Sequence, residues 1–587
     1  MSLFDTVNHE SNQLGHVREV DTRKVSVHVD NADNLRKARV GQLVVIPGSE
    51  GTTSWILGLI DRVIKSPMPF LPEADAQTKE QDLQADNDDT EITVNTVKLT
   101  LMGNVRYNSL KGGYQFSRSL DVLPDIDRDC YVLKAQHLES FMGLLSQQSA
   151  QGEALELGIY QLDGKAKAFL DGNKLFQRHA AVLGSTGSGK SWTVASILEH
   201  SAKLPSANLV VFDLHGEYQS LDYARQLRVP GPDELGKVDD TLLFLPYWLL
   251  NADELQTLFV DSSEFSAHNQ VMAFQNAVIS EKKEALTLAG KTAVLESFTL
   301  DSPVPFALDK VVGTISALNE EMEQGARGLK KGPFNGQFSR LLARVQSRIN
   351  DKRYGFLFQA PDEAHDYDAL AELVRRLMGF VADKGSEEGQ IKVIDFSEVP
   401  ADILPVIIAL VARLIYQIQF WTVQEQRKPI ALVCDEAHLY LPRGDVNPVE
   451  KRAVEAFEKI AKEGRKYGVS LLIVSQRPSD VSTTVLSQCN NVISLRLTNA
   501  DDQNTVRKML PESLDSFLDV LPIMDIGEAL VVGDAVLLPS RIKITPPQQK
   551  PLSATIDFWS EWQQTTKATD FAQVVENMRR QSRRQPN

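Results

Sequence analysis

Eight consecutive residues, Gly184, Ser185, Thr186, Gly187, Ser188, Gly189, Lys190 and Ser191, have the types and spacing to cradle a chain of phosphates. Glycines let successive backbone N–H groups turn inward without Cβ clashes, the lysine neutralises β- and γ-phosphates, and the hydroxyl can ligate Mg2+. The small and apolar residues Ala180, Ala181, Val182 and Leu183 precede the octet as the end of a buried strand. Trp192 and a stretch of helical spacing over 193–199 follow it, so the phosphates would rest on a helix N-terminus. Strand, loop, Lys-Ser and helix in this order predict a P-loop that binds ATP with Mg2+.

Such a site needs a second acidic motif, and an apolar run from 429 ends in Asp435 and Glu436. A strand there would bring Asp435 to the sheet edge beside the phosphates to hold Mg2+, and Glu436 would activate the attacking water. The same pair before Ala437 and His438 would also suit an ordinary helix start. Cations that stabilise the transferring phosphoryl group are sought among Arg178, Arg465, Arg477 and Arg496, each beside a core strand or the P-loop; a solvated arginine looks the same in sequence. Gln476, at the tip of a later strand, is placed as a polar sensor of the γ-phosphate. Asp213 and Glu217, flanking Gly216 at the end of another strand, face the same crevice.

The elements that must position these groups follow from periodicity. Short alternating segments near Val25–Val29, 40–48, 55–60 and 94–101 predict a small N-terminal β-barrel. Buried strands are expected at 207–213, 391–396, 429–436 and 470–476, with helices over 401–425 and 449–467, giving an α/β parallel-sheet core. The domain expectation is a barrel over 1–165 with an acidic loop at 67–91, core over 166–244, helical insertion over 245–388, core over 389–550, and a tail over 551–587.

The chain has 587 residues and a net charge of −16. Residues 72–91 alone carry eight acids against Lys79, so the excess is local and does not exclude nucleic acid held in a basic channel. Cys130, Cys434 and Cys489 show no metal-ligand spacing and suit a reducing cytoplasm. The opening residues lack the pattern of a signal peptide, and the apolar run at 403–412 stops at Arg413, too short to span a bilayer; no membrane partner is expected. Arg340, Arg344 and Arg348 recur every four residues beside Lys330, Lys331, Lys352 and Arg353, either as a DNA-facing stripe or as a solvated helix face. The terminal Arg579, Arg580, Arg583 and Arg584 suit a disordered or interaction tail.

Taken together, Arg178-His179 before the P-loop, Asp213 with His215-Gly216-Glu217-Tyr218, Asp435-Glu436-Ala437-His438, Gly464-Arg465-Lys466-Tyr467-Gly468 and Ser475-Gln476-Arg477-Pro478 resemble the HerA family of ATPases, relatives of FtsK-type DNA pumps. Gly15-His16-Val17, Val40-Gly41 and Leu57-Gly58 resemble that family's barrel, of the HerA–ATP synthase type. Leu214 stands where the family often has proline. The resemblance implies a RecA-like core in a homohexameric ring with ATP between subunits and duplex DNA through the pore. By position it implies Lys190 and Ser191 at phosphate and metal, Asp435 and Asp213 on the metal side, Glu436 and Glu217 near the water, Gln476 as sensor, and Arg178 and Arg465 reaching a neighbour's nucleotide. It also implies a partner nuclease or NAD-consuming effector docked on the barrel, in antiphage defence or in DNA-end repair. The alternative is an ATP-dependent scaffold that assembles and regulates such an effector.

Overall fold

The computed structural model describes Val7 and residues 12–581, apart from 31, 49–53, 68–92, 110–111, 153, 238, 326–327, 380–390, 445, 512–513, 554–556 and 564–570. The expected acidic loop falls almost wholly outside the described residues, as do Arg583 and Arg584.

Two compact units divide the chain: 1–175 with 491–545, and 176–490 with 546–587. In the first, strands β1 (Gln13–Asp21), β2 (Lys24–His28), β3 (Leu43–Pro47), β4 (Ser54–Pro67), β5 (Thr93–Asn108), β6 (Gly113–Ser117) and β7 (Asp129–Val132) form an antiparallel sheet. Pairing of β2 with both β1 and β5 closes six of them into a barrel, and β6 adds to the outside of β5. Val25, Val27, Val44, Ile46, Val97, Leu99 and Leu101 pack together in its buried interior, at every second position of their strands.

The second unit carries the nucleotide-binding sheet. Its strands are β10 (Ala180–Leu183), β11 (Leu209–Asp213), β12 (Ala224–Arg228), β15 (Ile391–Asp395), β16 (Ile430–Cys434) and β17 (Val469–Ser475), after β8 (Ala154–Tyr160) and β9 (Lys167–Asp171) of the first unit. All six are parallel, in the order β12-β15-β11-β16-β17-β10. All but the edge strand β12 are short and mainly apolar, the pattern of parallel strands covered on both faces. Between β12 and β15 lie the helices Ala252–Phe259, Ala267–Leu288, Leu308–Glu320, Ser339–Asn350 and Ala369–Met378, and a hairpin, β13 (Met322–Gly325) with β14 (Gly328–Lys331). The first unit closes with β18 (Asn491–Ser494), β19 (Glu528–Gly533) and β20 (Ser540–Ile544), which run antiparallel and continue through β8 to β9.

The helix expected over 401–425 is Leu404–Trp421, with Pro405 in the first turn, where a missing N–H costs nothing. It is long and apolar enough to cross a membrane by length and composition, yet it is a core helix: Pro405 to Ala412 are all buried. The one expected over 449–467 begins at Pro448, set by a capping box of Asn447 and Glu450, and ends at Glu463 in a 3-10 turn, Gly464–Tyr467.

Arg413 joins the core helix to the insertion. Its guanidinium donates twice to Glu254, at 2.9 and 2.6 Å, and to Leu249 O at 2.9 Å, and the Glu254 side chain is only 3% exposed. Glu254 also completes the capping box of Ala252–Phe259. Removing one partner of a buried pair strands the other, so Arg413→Ala is expected to cost about 3–5 kcal/mol, measured by urea unfolding.

Candidate ATP site

The parallel register fixes the site. Strands β10, β17, β16, β11 and β15 all end at one edge of the sheet, and the chemistry-bearing residues stand at those ends. The P-loop follows β10 and leads into the helix Lys190–Ala202. Gly187 and Gly189 have φ of +72° and +108°, a region open to glycine and strained for other residues. Gly184 N–H donates to Ser475 O at 3.2 Å, pinning the loop to β17, and Thr186 Oγ1 donates to Gln476 Oε1 at 2.5 Å. Gln476 therefore touches the P-loop from the strand lying between β10 and the Asp-Glu strand β16. Lys550 Nζ lies 5.6 Å from the centre of the Trp192 ring.

Opposite the loop stand Asp435 and Glu436. Glu436 adopts φ +44°, a left-handed conformation costly for a non-glycine residue. Its N–H donates to Asp435 Oδ1 at 3.0 Å, and its Oε2 is buried without a hydrogen bond, 3.4 Å from His438 Nδ1. Burial holds Asp435 well above the ordinary carboxylate range, and Glu436, Glu217 and Asp213 push it the same way. Burial likewise raises Glu436, while Lys190 and His215 pull it back. Burial lowers Lys190 against the pull of Glu436, Asp435 and Glu217.

Asp213 is fully buried and its oxygens are taken up by the turn after β11. Oδ1 accepts from the N–H groups of His215, Gly216 and Glu217 at 3.2, 2.8 and 3.0 Å, and Oδ2 from Tyr218 at 2.9 Å. Burial pushes this carboxyl up to about 6 despite those donors. These four donors let Asp213 shape the turn that carries Glu217. Asp395, passed over in sequence as the last residue of a strand, is its register partner: it accepts from Gln219 Nε2 at 2.8 Å. Three adjacent strands ending in or just before aspartate was the available signal.

The four candidate arginines part company. Arg477 is exposed at the P-loop end of β17. Arg496 belongs to the first unit, just after β18. Arg178 and Arg465 are exposed at the opposite end, just before β10 and β17 start. His179, with φ +49°, fastens that end. Its Nε2 donates to Ala461 O at 3.0 Å and its Nδ1 accepts from Leu471 N–H at 2.9 Å, which fixes the neutral tautomer. The length of β10 and its flanks, about 13 Å or more, separates Arg178 from its own P-loop.

The Arg340, Arg344, Arg348 stripe is largely engaged by partners in the insertion and, for Arg348, in the turn before the core helix. Arg344 donates to Phe259 O, Glu264 and Gln270, and Arg348 pairs with Asp402; Arg340 is the most exposed of the three and lies 4.0 Å from Glu264.

These residues fit a nucleoside triphosphate with Mg2+. Lys190 is buried with only a 3.5 Å contact to Ser185 O, and Ser188 Oγ and Glu436 Oε2 are buried without hydrogen bonds. Buried polar groups left this way call for a ligand. Among the described residues no three His, Cys, Asp or Glu side chains form a metal cage. One hydroxyl and one or two carboxylates suit an ion that draws its other ligands from phosphates and water.

Two family models match, Helicase HerA, central domain, over 155–415 and Helicase HerA-like C-terminal over 389–552, together well over half the chain. The chain is 24% identical over 432 residues to the DNA double-strand break repair helicase HerA of Pyrococcus furiosus, covering 67% of this chain and 69% of that one. It is 27% identical over 396 residues to the protein of the same name from Sulfolobus acidocaldarius, covering 66% and 68%. VirB4 of Thermoanaerobacter pseudethanolicus superposes with a TM-score of 0.44 at 18% identity, over 68% of this chain and 96% of that one. With a P-loop, an Asp-Glu strand and a glutamine strand converging on one sheet edge, the chain belongs to the HerA family and is an ATPase.

Proposed function

We propose that this ATPase works as a homohexameric ring that moves duplex DNA. The observation that supports the ring is the placement of Arg178 and Arg465 at the strand end remote from their own P-loop, from where a second copy's nucleotide is the one they could serve. DNA as the substrate is supported by the names of the relatives, which are DNA repair helicases.

In this reading Gly184 to Ser191 wrap the phosphates, with Lys190 on the β- and γ-phosphates and Trp192 beside them. Mg2+ neutralises phosphate charge when bound, and Ser191 and Asp435 would hold it. Glu436 takes the proton of the attacking water as the bond from the γ-phosphorus to its bridging oxygen breaks. Glu217 helps orient that water, Asp213 positions Glu217, and Gln476 couples the γ-phosphate to Thr186. Arg465 and Arg178 of a neighbouring copy stabilise the charge that develops.

Because Glu436 must be ionised to accept a proton, activity is lost as pH falls through its raised value. The acid limb of kcat/KM is expected above the ordinary carboxylate range, as a property of the coupled Asp435–Glu436 pair. A pH–rate profile measures it.

The effector, a nuclease or NAD-consuming enzyme on the barrel in cytoplasmic antiphage defence, belongs to the same proposal; the three buried free cysteines agree with a reducing compartment. The deciding experiment is ATP hydrolysis with and without linear duplex DNA, with Lys190→Ala as control. Strong stimulation supports the motor. Turnover abolished by Lys190→Ala but indifferent to DNA supports instead a scaffold that regulates its effector, a reading favoured by how few of the stripe arginines are free.

A further inference from the structure

We infer that residues 546–552 form a strap that positions Glu217, tying its turn to the helix that follows the P-loop. The inference rests on the reading of Glu217 as the residue that helps orient the attacking water, and it adds the Glu199 carboxylate and the Leu552 N–H as positioning groups.

The strap, Pro546-Pro547-Gln548-Gln549-Lys550-Pro551-Leu552, belongs to no helix or strand, and its prolines restrict the backbone freedom that ordering must overcome. It runs along one face of the helix Lys190–Ala202, on which Trp192 and Glu199 stand about two turns apart. Glu199 Oε2 accepts from the N–H groups of Gln548 and Gln549 at 2.7 and 3.3 Å, and Lys550 Nζ lies over the Trp192 ring. The same segment holds the turn after β11. Ser220 Oγ donates to Lys550 O and Asp222 N–H to Gln549 Oε1, both at 2.7 Å. Leu552 N–H donates to Glu217 O, also at 2.7 Å.

That last bond completes a clamp. Glu217 N–H donates inward to Asp213 Oδ1 at 3.0 Å and its carbonyl accepts from the strap, so both of its backbone polar groups are fixed while the side chain is half-buried. Its carboxylate is close enough to act on the charges of Lys190, Asp435 and Glu436, which puts it at the reacting end of the sheet. Asp213 ties the turn to its own strand. The strap ties it to the helix whose N-terminus receives the phosphates, so Glu217 is set relative to the nucleotide. Placement of this kind matters, because a shift of about 1 Å in a group that orients a reactant can cost about 10²-fold in rate. The Leu552 side chain is 60% exposed, and its part in the clamp is played by its backbone.

The test is steady-state ATP hydrolysis by the full chain. Leu552→Pro removes the N–H donor and Glu199→Ala removes the anchor of the strap; each is expected to lower kcat by about 10-fold or more while KM for ATP stays within about 2-fold. Leu552→Ala keeps the donor and Glu199→Gln keeps an acceptor oxygen, so both should retain most of the turnover. Action through Glu217 is read from the double variant: Leu552→Pro should cost far less in a Glu217→Gln chain than in the wild type. Effects that simply multiply, with a matching fall in thermal unfolding temperature, would overturn the strap as a positioning device. So would wild-type kcat in Leu552→Pro and Glu199→Ala beside a Glu217→Gln chain that loses turnover, an outcome that leaves Glu217 in its role. Wild-type turnover in Glu217→Gln overturns the reading of Glu217 itself, and the strap's role with it.

Discussion

Glu436→Gln is expected to lower kcat by roughly 10²–10⁴-fold while nucleotide still binds. Glutamine keeps the shape of the side chain and the left-handed backbone at φ +44°, so the turn after β16 has no reason to move. What it removes is the proton acceptor, and with it one of the charges that raise Asp435. Affinity for ATP should hold or improve, because a carboxylate near the phosphates is replaced by a neutral amide. Steady-state turnover together with equilibrium binding of a fluorescent ATP analogue separates the two effects. Unchanged turnover would transfer the base to Glu217, whose own Gln variant is otherwise expected to have the smaller effect.

Arg465→Ala and Arg178→Ala carry the second large expectation, a loss of about 10³–10⁵ in turnover if each supplies a cation to the transition state. The distinguishing result comes from mixtures. Lys190→Ala chains cannot use their own nucleotide but still present Arg465; Arg465→Ala chains have a complete P-loop and lack the cation. Co-assembled, the two dead variants should regain a fraction of wild-type activity, measured as ATPase against the sum of the separate samples. No recovery in rings that demonstrably mix would confine both arginines to a structural task.

The P-loop and the Asp-Glu strand were legible in the sequence because their chemistry forces a local order of residues, and the structure brings Lys190, Ser191, Asp435, Glu436 and Gln476 to one edge. The barrel showed through Val25, Val27 and Val29, whose alternation survives in the closed sheet. β12 went unread, since Ala224–Arg228 is a mixed-polarity edge strand with no alternating pattern. Asp213 illustrates a different limit. Composition marks an acid at a strand end, but only the backbone path reveals that four N–H groups have already claimed its oxygens. Likewise a four-residue period gives Arg340, Arg344 and Arg348 one helix face, and says nothing of Glu264 and Asp402 waiting opposite.

Neighbouring strands β10 and β17 share a design whose effect is on timing. In the proposed ring each would touch its own nucleotide at one tip, through the P-loop or Gln476, and present at the other end an arginine to the next nucleotide. Both are wholly buried, and His179 bolts them together at the arginine end. A packed interior of this kind yields little under load. Gain or loss of a phosphate at one tip would therefore reach the other along a stiff strand, directly for Arg178 and through the 3-10 turn Gly464–Tyr467 for Arg465. In the proposed ring such a pair of pushrods would make each chain's occupancy the clock for its neighbour, so that firing would pass around the circle in one sense and simultaneous discharge would be mechanically discouraged.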